Sequence, residues 1–281
     1  MDIATIKALS QPIEQLLVRK NLRGMQHVLP ALEPDNYWRA ANILHNSQDN
    51  ILIGTGFPVA DTFETDGPVG AIALYNALKD IGKEPILVCG KPLYDALQKD
   101  FTCFELPVGD IATAPQFAQQ TLALLTPSAI VSIERPGLSE QGRYFNMRGE
   151  DISPCCACFD FFMTLAQCPT IAIGDGGNEI GMGKVKPAIE QLDIMPSVTS
   201  CDELLVADVS NWAAYGLIAL LSRLNEKNLL AQIAPRSILS YLSQLGSVDG
   251  VTKKNMLTED SLCYSEGEDI IKQLHTLCEL S

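Results

Sequence analysis

The feature that most constrains the fold is a glycine-rich turn that directly follows a short apolar run. Residues 170–173 predict a buried strand, and residues 174–183 then read Gly-Asp-Gly-Gly-Asn-Glu-Ile-Gly-Met-Gly. Glycine tolerates a tight turn and lets a ligand approach the backbone. Asp175 or Asn178 is placed to cap a following helix, whose free N–H groups would attract an anion. Because open α/β sheets bind ligands at the carboxyl ends of their strands, the turn predicts a binding site.

Apolar runs alternate with helical segments along most of the chain. Six strands are predicted, at residues 50–53, 86–89, 102–106, 129–133, 170–173 and 203–207. Since these runs are continuously apolar, they indicate a mostly parallel sheet covered by helices on both faces. We therefore expect an α/β fold of three layers, similar to a Rossmann fold, in one domain spanning residues 1–281. Residues 1–48 form a helical lead-in, and residues 49–281 form the α/β body.

Polar clusters follow the strands that end near residues 53, 133, 173 and 207. The carboxyl ends of parallel strands share one edge of the sheet, so these clusters should meet. They contribute Glu64, Asp66, Glu134, Arg135, Asp175, Asn178, Glu179, Ser210 and Asn211. Carboxyl groups this close shift one another's pKa values, which suits acid–base catalysis. Asp66 is equally well placed to cap the helix predicted at 69–81.

A polar connection after Glu134 adds Arg143, Asn146 and Arg148 to the same edge. The planar guanidinium group of arginine matches carboxylate and phosphate groups. Oxygen ligands from Asp175, Glu179 or Glu134 would suit a hard cation such as Mg²⁺ or Mn²⁺. The residues require no cofactor by themselves, so these two ions are the only cofactor candidates.

Composition and standard motifs exclude several functions. The net charge of −14 opposes nucleic acid as a partner, and no apolar stretch is long enough to span a membrane. The N-terminus lacks a secretion signal, and the nine cysteines read as reduced thiols, so we expect a cytoplasmic protein. Val59 stands where G-x-G-x-x-G needs its third glycine, no P-loop is complete, and the histidines do not cluster for zinc.

Five blocks together resemble the D-glutamate cyclase C-terminal domain family. They lie in family order at residues 55–68, 132–137, 142–153, 174–183 and 210–216. The resemblance covers nearly the whole chain from about residue 50 onward. It implies a hydro-lyase that converts D-glutamate to 5-oxo-D-proline and water. In animals the domain is fused behind a second, hydro-lyase-like domain, which this sequence does not contain.

The implied reaction assigns roles to the clustered residues. Glu134 or Asp175 would take a proton from the substrate amine, which then attacks the γ-carboxyl carbon. Glu64, Asp66 or a bound cation would help an oxygen to leave as water.

Substrate binding would fall to the basic and amide groups of the same edge. One of Arg135, Arg143 and Arg148 would hold the α-carboxylate. The N–H groups of Gly176, Gly177 and Asn178 would stabilise a developing oxyanion. The remaining candidates for substrate contact are Asn146, Ser210 and Asn211.

Two other functions fit the same residues. A metal-dependent hydrolase or phosphatase acting on a small anionic substrate would use the acids around Mg²⁺, and a non-catalytic module would bind a small molecule in the same pocket. In each case the expected partner is small, anionic and similar to an amino acid. A homo-oligomer is compatible with the sequence.

Overall fold

The computed structural model describes residues 2–280. The strands of this range are β1 (Asn50–Thr55), β2 (Pro58–Val59), β3 (Thr62–Phe63), β4 (Glu84–Gly90), β5 (Cys103–Leu106), β6 (Ala129–Ile133), β7 (Thr170–Gly174), β8 (Glu203–Val206), β9 (Thr258–Glu259) and β10 (Leu262–Cys263). The helices are α1 (Ile3–Ala8), α2 (Ser10–Leu17), α3 (Met25–Val28), α4 (Asn36–Asn46), α5 (Pro68–Asp80), α6 (Leu93–Leu97), α7 (Ala114–Leu125), α8 (Asp160–Thr164), α9 (Lys186–Ile189), α10 (Ser210–Leu224), α11 (Pro235–Gln244) and α12 (Tyr264–Leu277).

Six of the strands form one parallel sheet in the order β5-β4-β1-β6-β7-β8. The chain runs outward from β1 through β4 to β5, and then restarts beside β1 with β6, β7 and β8. Each of these strands overlaps one of the predicted apolar runs, and the expected α/β fold is confirmed. The direction of the chain reverses between β1 and β6, which is where open α/β sheets place their ligands.

The two faces of the sheet are covered by different helices. Along β1, Ile51 and Ile53 pack into a cluster with α4, α5 and α10, whereas Leu52 packs on the opposite face with α8. This alternation follows from the period of two in a strand. Both faces of β1 are apolar because both are buried, which explains the continuous apolar run in the sequence.

Helices α1, α2 and α4 complete the layer that contains α10, whereas α3 packs on the opposite face of the sheet. Residues 210–222 of α10 are all buried, and α2 and α4 pack directly on this helix. A Cβ atom on Gly216 would lie 2.7 Å from the Leu17 side chain and 3.0 Å from the Tyr37 ring, so glycine permits this close approach. The lead-in is therefore part of the buried core of this face.

Helices α5 and α10 begin side by side, and each supplies a cap for the other. The Asp66 carboxylate, just before α5, accepts hydrogen bonds from the N–H groups of Ser210 (3.0 Å) and Asn211 (2.8 Å) at the start of α10. In return, Asn211 Oδ1 accepts from the N–H groups of Gly67 (2.9 Å) and Gly70 (2.6 Å). The exchange satisfies buried donors at both helix starts.

These caps correct the expectation that Asp66 caps α5. Asp66 does not cap the helix that follows it, where Gly67 occupies the N-cap position, but the neighbouring helix α10. Neither Ser210 nor Asp208 caps α10. Asp208 instead accepts hydrogen bonds from the N–H groups of Lys20 (2.7 Å) and Leu22 (3.3 Å), beyond α2. The exchanged partners are distant in sequence, so local capping rules do not identify them.

Two further properties concern the whole described range. No helix between residues 2 and 280 is long and apolar enough to cross a lipid bilayer. The cysteines in this range are free thiols, and Cys155 and Cys263 are exposed.

We expect Asn211→Ala to destabilise the fold by about 3 kcal/mol, because it leaves two buried N–H groups at the start of α5 without an acceptor. Urea unfolding of the purified protein measures this difference. Asn46→Ala is the matched control, since Asn46 is exposed and bonds only to Asn42 in its own helix. Equal stability of the two variants would contradict the proposed capping role.

Candidate active site

A cavity of about 720 Å³ opens at the carboxyl ends of β1, β6 and β7. Buried carboxyl groups line one part of it, which we call the acidic floor: Glu64, Glu134, Asp175, Glu179 and Asp260. Apolar side chains line another part: Phe57, Val59, Met147, Leu192 and Ile194. The exposed basic side chains among the lining residues are His27, Arg148 and Lys253.

Asp175 directly follows β7 and is 1% exposed. Its Oδ1 lies 2.5 Å from Nη1 of Arg23, and its Oδ2 has no hydrogen-bond partner in the described chain. Burial raises the pKa of Asp175 well above its ordinary value, although the Arg23 charge opposes the shift; the negative charge of Glu134 adds to it. Asp175 therefore presents a desolvated and incompletely satisfied carboxyl group to the cavity.

Arg23 also holds Asp260, through two nitrogen–oxygen contacts. Nη1 donates to Oδ2 of Asp260 at 2.7 Å, and Nη2 lies 2.7 Å from Oδ1. Burial alone would raise the pKa of Asp260, but the Arg23 guanidinium outweighs it, and the pKa lies below its ordinary value. Asp260 is thus the carboxyl group of the floor that stays ionised most readily.

The loop after α2 carries Arg23 to the site. Asp208, beyond β8, fixes this loop by accepting from the N–H groups of Lys20 and Leu22. Gly24 has φ of +83°, and a Cβ atom there would lie 2.7 Å from the Leu192 side chain. The lead-in thus contributes a charged group to the site as well as packing on the body.

Glu134 follows β6 in a left-handed conformation, with φ of 44°. Backbone strain of this kind in a residue other than glycine costs about 1–3 kcal/mol and is typical of functional sites. Glu134 Oε2 accepts a hydrogen bond from Ser210 Oγ at 2.6 Å. Burial, and then the negative charges of Glu179 and Asp66, raise its pKa well above the ordinary value. Once ionised, this carboxylate is therefore a stronger base than an exposed one.

Glu64 reaches the floor from the end of the β2–β3 hairpin. A Cβ atom on Gly250 would lie 1.9 Å from Glu64 Oε2, so only glycine leaves room for this carboxyl group. Burial and the charges of Asp260 and Asp66 raise the pKa of Glu64 well above its ordinary value. The protonated form of Glu64 is therefore favoured.

The glycine-rich turn differs from the expected helix start. Residues after β7 form no α-helix until α9, so neither Asp175 nor Asn178 acts as a helix cap. The N–H groups of Gly176 (2.9 Å) and Gly177 (2.6 Å) donate to the two carboxylate oxygens of Glu179. Glu179 therefore occupies both N–H groups, and neither is free to bind the oxyanion that the sequence predicted there.

The three predicted arginines lie in different surroundings. Arg135 is buried, and its terminal nitrogens donate to the backbone carbonyls of Thr55 (2.6 Å) and Ala157, outside the main cavity. Arg143 is exposed and lies outside the cavity, with Nη1 2.6 Å from Oδ2 of Asp151.

Arg148 is the member of this set that lines the main cavity. Asn146 and Asn178 line it as well. Asn146 Oδ1 accepts from the N–H of Arg148 at 2.9 Å, and Asn178 Nδ2 donates to the Phe145 carbonyl at 2.9 Å. These contacts tie the loop of Arg148 to itself and to the turn after β7.

Asp66, Ser210 and Asn211 form a buried layer next to the floor and do not line the cavity. Asn211 Nδ2 donates to Oε1 of Glu259 at 2.7 Å. Burial raises the pKa of Glu259 to about 7, and burial with the Asp260 charge raises that of Asp66 well above its ordinary value.

Sequence reasoning missed Arg23, Glu259 and Asp260. Arg23 lies in an irregular segment far from any strand end. Glu259 and Asp260 lie between the last two helices. Two glycines, Gly246 and Gly250, precede these adjacent acids, and this pattern could have indicated a functional loop.

Two groups of carboxylates offer oxygen atoms that all lie within 4.8 Å of one another. One consists of Glu134, Asp175 and Glu179, and the other of Asp66, Asp175 and Asp260. Both contain Asp175, and both offer the ligand type that Mg²⁺ and Mn²⁺ prefer. Arg23 contacts Asp175, which belongs to both groups, and also Asp260 of the second group.

Human "D-glutamate cyclase, mitochondrial" is 31% identical over 247 residues, which cover 77% of this chain and 39% of the human protein. The chain thus spans less than half the length of that relative. An exopolyphosphatase-related protein from Bacteroides fragilis superposes with a TM-score of 0.41 at 10% identity, covering 88% of this chain and 57% of that one.

A family model described as "D-glutamate cyclase-like, C-terminal" matches residues 13–275. This match includes the lead-in loop that carries Arg23 as well as every strand of the sheet. The chain belongs to the D-glutamate cyclase-like C-terminal family.

Proposed function

We propose that this protein is a lyase that converts D-glutamate to 5-oxo-D-proline and water. Family membership and the 31% identical human relative support this function. The observation that carries it is the unequal state of the carboxyl groups in one cavity. Asp260 has a lowered pKa beside Arg23, whereas Glu64 and Glu134 have strongly raised pKa values. The cavity thus offers one carboxylate that stays ionised and two carboxyl groups whose raised pKa values suit proton transfer, Glu134 as the base once it is ionised and Glu64 as the acid.

In this reaction the substrate ammonium group must lose protons and the γ-carboxyl group must gain them. Asp175, whose Oδ2 has no hydrogen-bond partner in the described chain, is the candidate to accept a hydrogen bond from the ammonium group. Glu134 takes a proton from it, and the free amine attacks the γ-carboxyl carbon. The hydrogen bond from Ser210 keeps the Glu134 carboxylate oriented.

A γ-carboxylate oxygen needs two protons to leave as water. Glu64 supplies one of them, and Glu134 returns the proton that it took from the ammonium group as the other. The ring nitrogen then gives its second proton back to Glu64, so both carboxyl groups end in their starting states. Glu64 lines the cavity, and its raised pKa favours the protonated form that donates. Asp66, the other candidate acid, faces the helix starts and accepts hydrogen bonds from three backbone N–H groups. Glu64 is therefore the better candidate.

Arg148 is the candidate for the α-carboxylate, because it is the predicted arginine that lines the cavity. Mg²⁺ or Mn²⁺, held by Glu134, Asp175 and Glu179, would supply a Lewis acid that neutralises the γ-carboxylate. The same group of carboxylates would serve a metal-dependent hydrolase, and the two enzymes would differ in the substrate that they convert.

The direct test incubates the purified chain with D-glutamate, with and without Mn²⁺ or Mg²⁺, and measures 5-oxoproline by mass spectrometry. L-Glutamate is the stereochemical control. We expect product from the D-form alone. Turnover of a phosphate ester in place of D-glutamate would replace the proposal with the hydrolase, and binding of D-glutamate without product would favour the binding module.

Glu134→Gln should lower kcat by at least about 100-fold, because it removes the proposed base but keeps the size of the side chain. Steady-state kinetics with D-glutamate measures the loss. Glu84→Gln is the control, since Glu84 is exposed and pairs only with Lys79. A Glu134→Gln enzyme with more than a third of normal kcat would eliminate Glu134 as the base.

Arg148→Ala should raise KM for D-glutamate roughly 5- to 10-fold and change kcat little, because an exposed ion pair contributes about 1 kcal/mol of binding. Arg143→Ala, in the same loop but outside the cavity, should change KM less than about twofold. The assignment fails if both variants raise KM equally.

The protein should become less stable as the pH rises from 5 to 8. Glu64, Asp66, Glu134 and Asp175 have raised pKa values, so the folded protein binds more protons than the unfolded chain in this interval. These protonated carboxyl groups contribute fully to stability at a pH below their pKa in the unfolded chain. The contribution is lost as the pH rises through their higher pKa in the folded protein. We expect thermal unfolding about 5 °C lower at pH 8 than at pH 5.

Glu134→Gln should reduce this pH dependence, because the amide does not titrate. A cation bound by the floor should restore stability more at pH 8 than at pH 5, since metal ligands must be deprotonated. A melting temperature that rises steadily with pH would contradict the raised pKa values.

A further inference from the structure

The cavity is much larger than the substrate of the proposed function. Free D-glutamate has about ten non-hydrogen atoms, whereas cavities of roughly 300–1,000 Å³ enclose drug-sized ligands. With a volume of about 720 Å³, this cavity keeps much of its space free when an amino acid lies on the acidic floor. The remaining space has room for a group attached to the substrate.

Apolar side chains bound that remaining space. Phe57 and Val59 belong to the segment around β2, and Leu192 and Ile194 lie beyond α9. Met147 is 44% exposed and brings an apolar group from the loop that also carries Arg148. An attached group that fits here is apolar, in contrast to the amino acid part that fits the acidic floor.

The attached group would be bonded to the γ-carboxyl group of the substrate. The α-amine must stay free for cyclisation and the α-carboxylate for recognition, so the γ-carboxyl group is the one functional group of D-glutamate that can carry a substituent. A free γ-carboxylate adds negative charge beside Glu64, Glu134 and Asp175, whereas a γ-amide adds none. An amide carbonyl is also a better electrophile than a carboxylate.

We propose that the protein acts on γ-D-glutamyl amides whose amine part carries an apolar group. This inference rests on the proposed cyclisation and names its substrate class. The substrate α-amine forms the new N–C bond to the γ-carbon, and the amide C–N bond breaks. The proton that Glu134 removes is balanced by the one that Glu64 gives to the leaving amine. The products are 5-oxo-D-proline and the free amine, and no further reactant is consumed.

The test compares three substrates with the purified chain: D-glutamate, D-glutamine and γ-D-glutamyl-p-nitroanilide. D-Glutamine has a γ-amide without an attached group, so it separates the electrophile from the apolar contact. The measurements are 5-oxoproline by mass spectrometry and p-nitroaniline by absorbance, each corrected for the reaction without enzyme. γ-L-Glutamyl-p-nitroanilide is the stereochemical control.

We expect kcat/KM to increase from D-glutamate to D-glutamine to the anilide, with the anilide at least about tenfold above D-glutamate. Turnover of D-glutamate without release of p-nitroaniline would overturn this inference and leave the proposed function intact. Turnover of the amides without D-glutamate would support the inference and replace water by an amine as the leaving group. An absence of 5-oxoproline from all three would overturn both.

A methionine pair tests the apolar contact itself, since p-nitroaniline is a good leaving group in any enzyme. Met147→Ser should lower the ratio of kcat/KM for the anilide to that for D-glutamine by about threefold or more. Met256→Ser is the matched control, because Met256 is 46% exposed and lies away from the cavity. An unchanged ratio in Met147→Ser would show that the anilide does not contact this wall.

Discussion

The site depends on one partly buried arginine, Arg23, among several buried carboxyl groups. Desolvation makes an isolated buried carboxylate costly, and neighbouring negative charges increase that cost. Arg23 contacts both Asp175 and Asp260, and this positive charge overcomes the effect of burial on the pKa of Asp260. It does not do so for Asp175, Glu64 or Glu134, which retain raised pKa values. The single guanidinium therefore creates the difference in protonation on which acid–base chemistry rests.

Contacts elsewhere in the fold fix the positions of Arg23 and the carboxyl groups relative to one another. Asp208 anchors the loop of Arg23, while Asp66 and Asn211 join the starts of α5 and α10. Packing of the lead-in on α10 stabilises the same region. The strained backbone of Glu134 persists because the sheet, Ser210 and the adjacent turn determine its position. Interactions remote from the cavity thus maintain a conformation that isolated segments would not adopt.

The sequence predicted what depends on local pattern. Continuous apolar runs located the strands, and the parallel arrangement correctly brought Glu64, Glu134 and Asp175 to one edge. The sequence did not predict the roles of Arg23 and Asp260, because their contact joins segments that are far apart in the chain. The occupation of the Gly176 and Gly177 N–H groups by Glu179 was missed for another reason. The glycine pattern is the same whether an internal carboxylate or a ligand accepts those hydrogen bonds.

The carboxylates of the floor also determine where a second positive charge could bind in the site. Asp175 belongs to both carboxylate groups, but Arg23 approaches its Oδ1 and leaves Oδ2 without a partner. A cation proposed between Glu134, Asp175 and Glu179 would share the Asp175 carboxylate with Arg23. It would compensate the negative charge of Glu179, which adds to the effect of burial in raising the pKa of Glu134. Because this compensation would also weaken Glu134 as a base, a bound cation should favour polarisation of the carboxyl group at the expense of proton abstraction. The balance between these two effects makes the dependence of the rate on both pH and cation concentration the most informative property of this site.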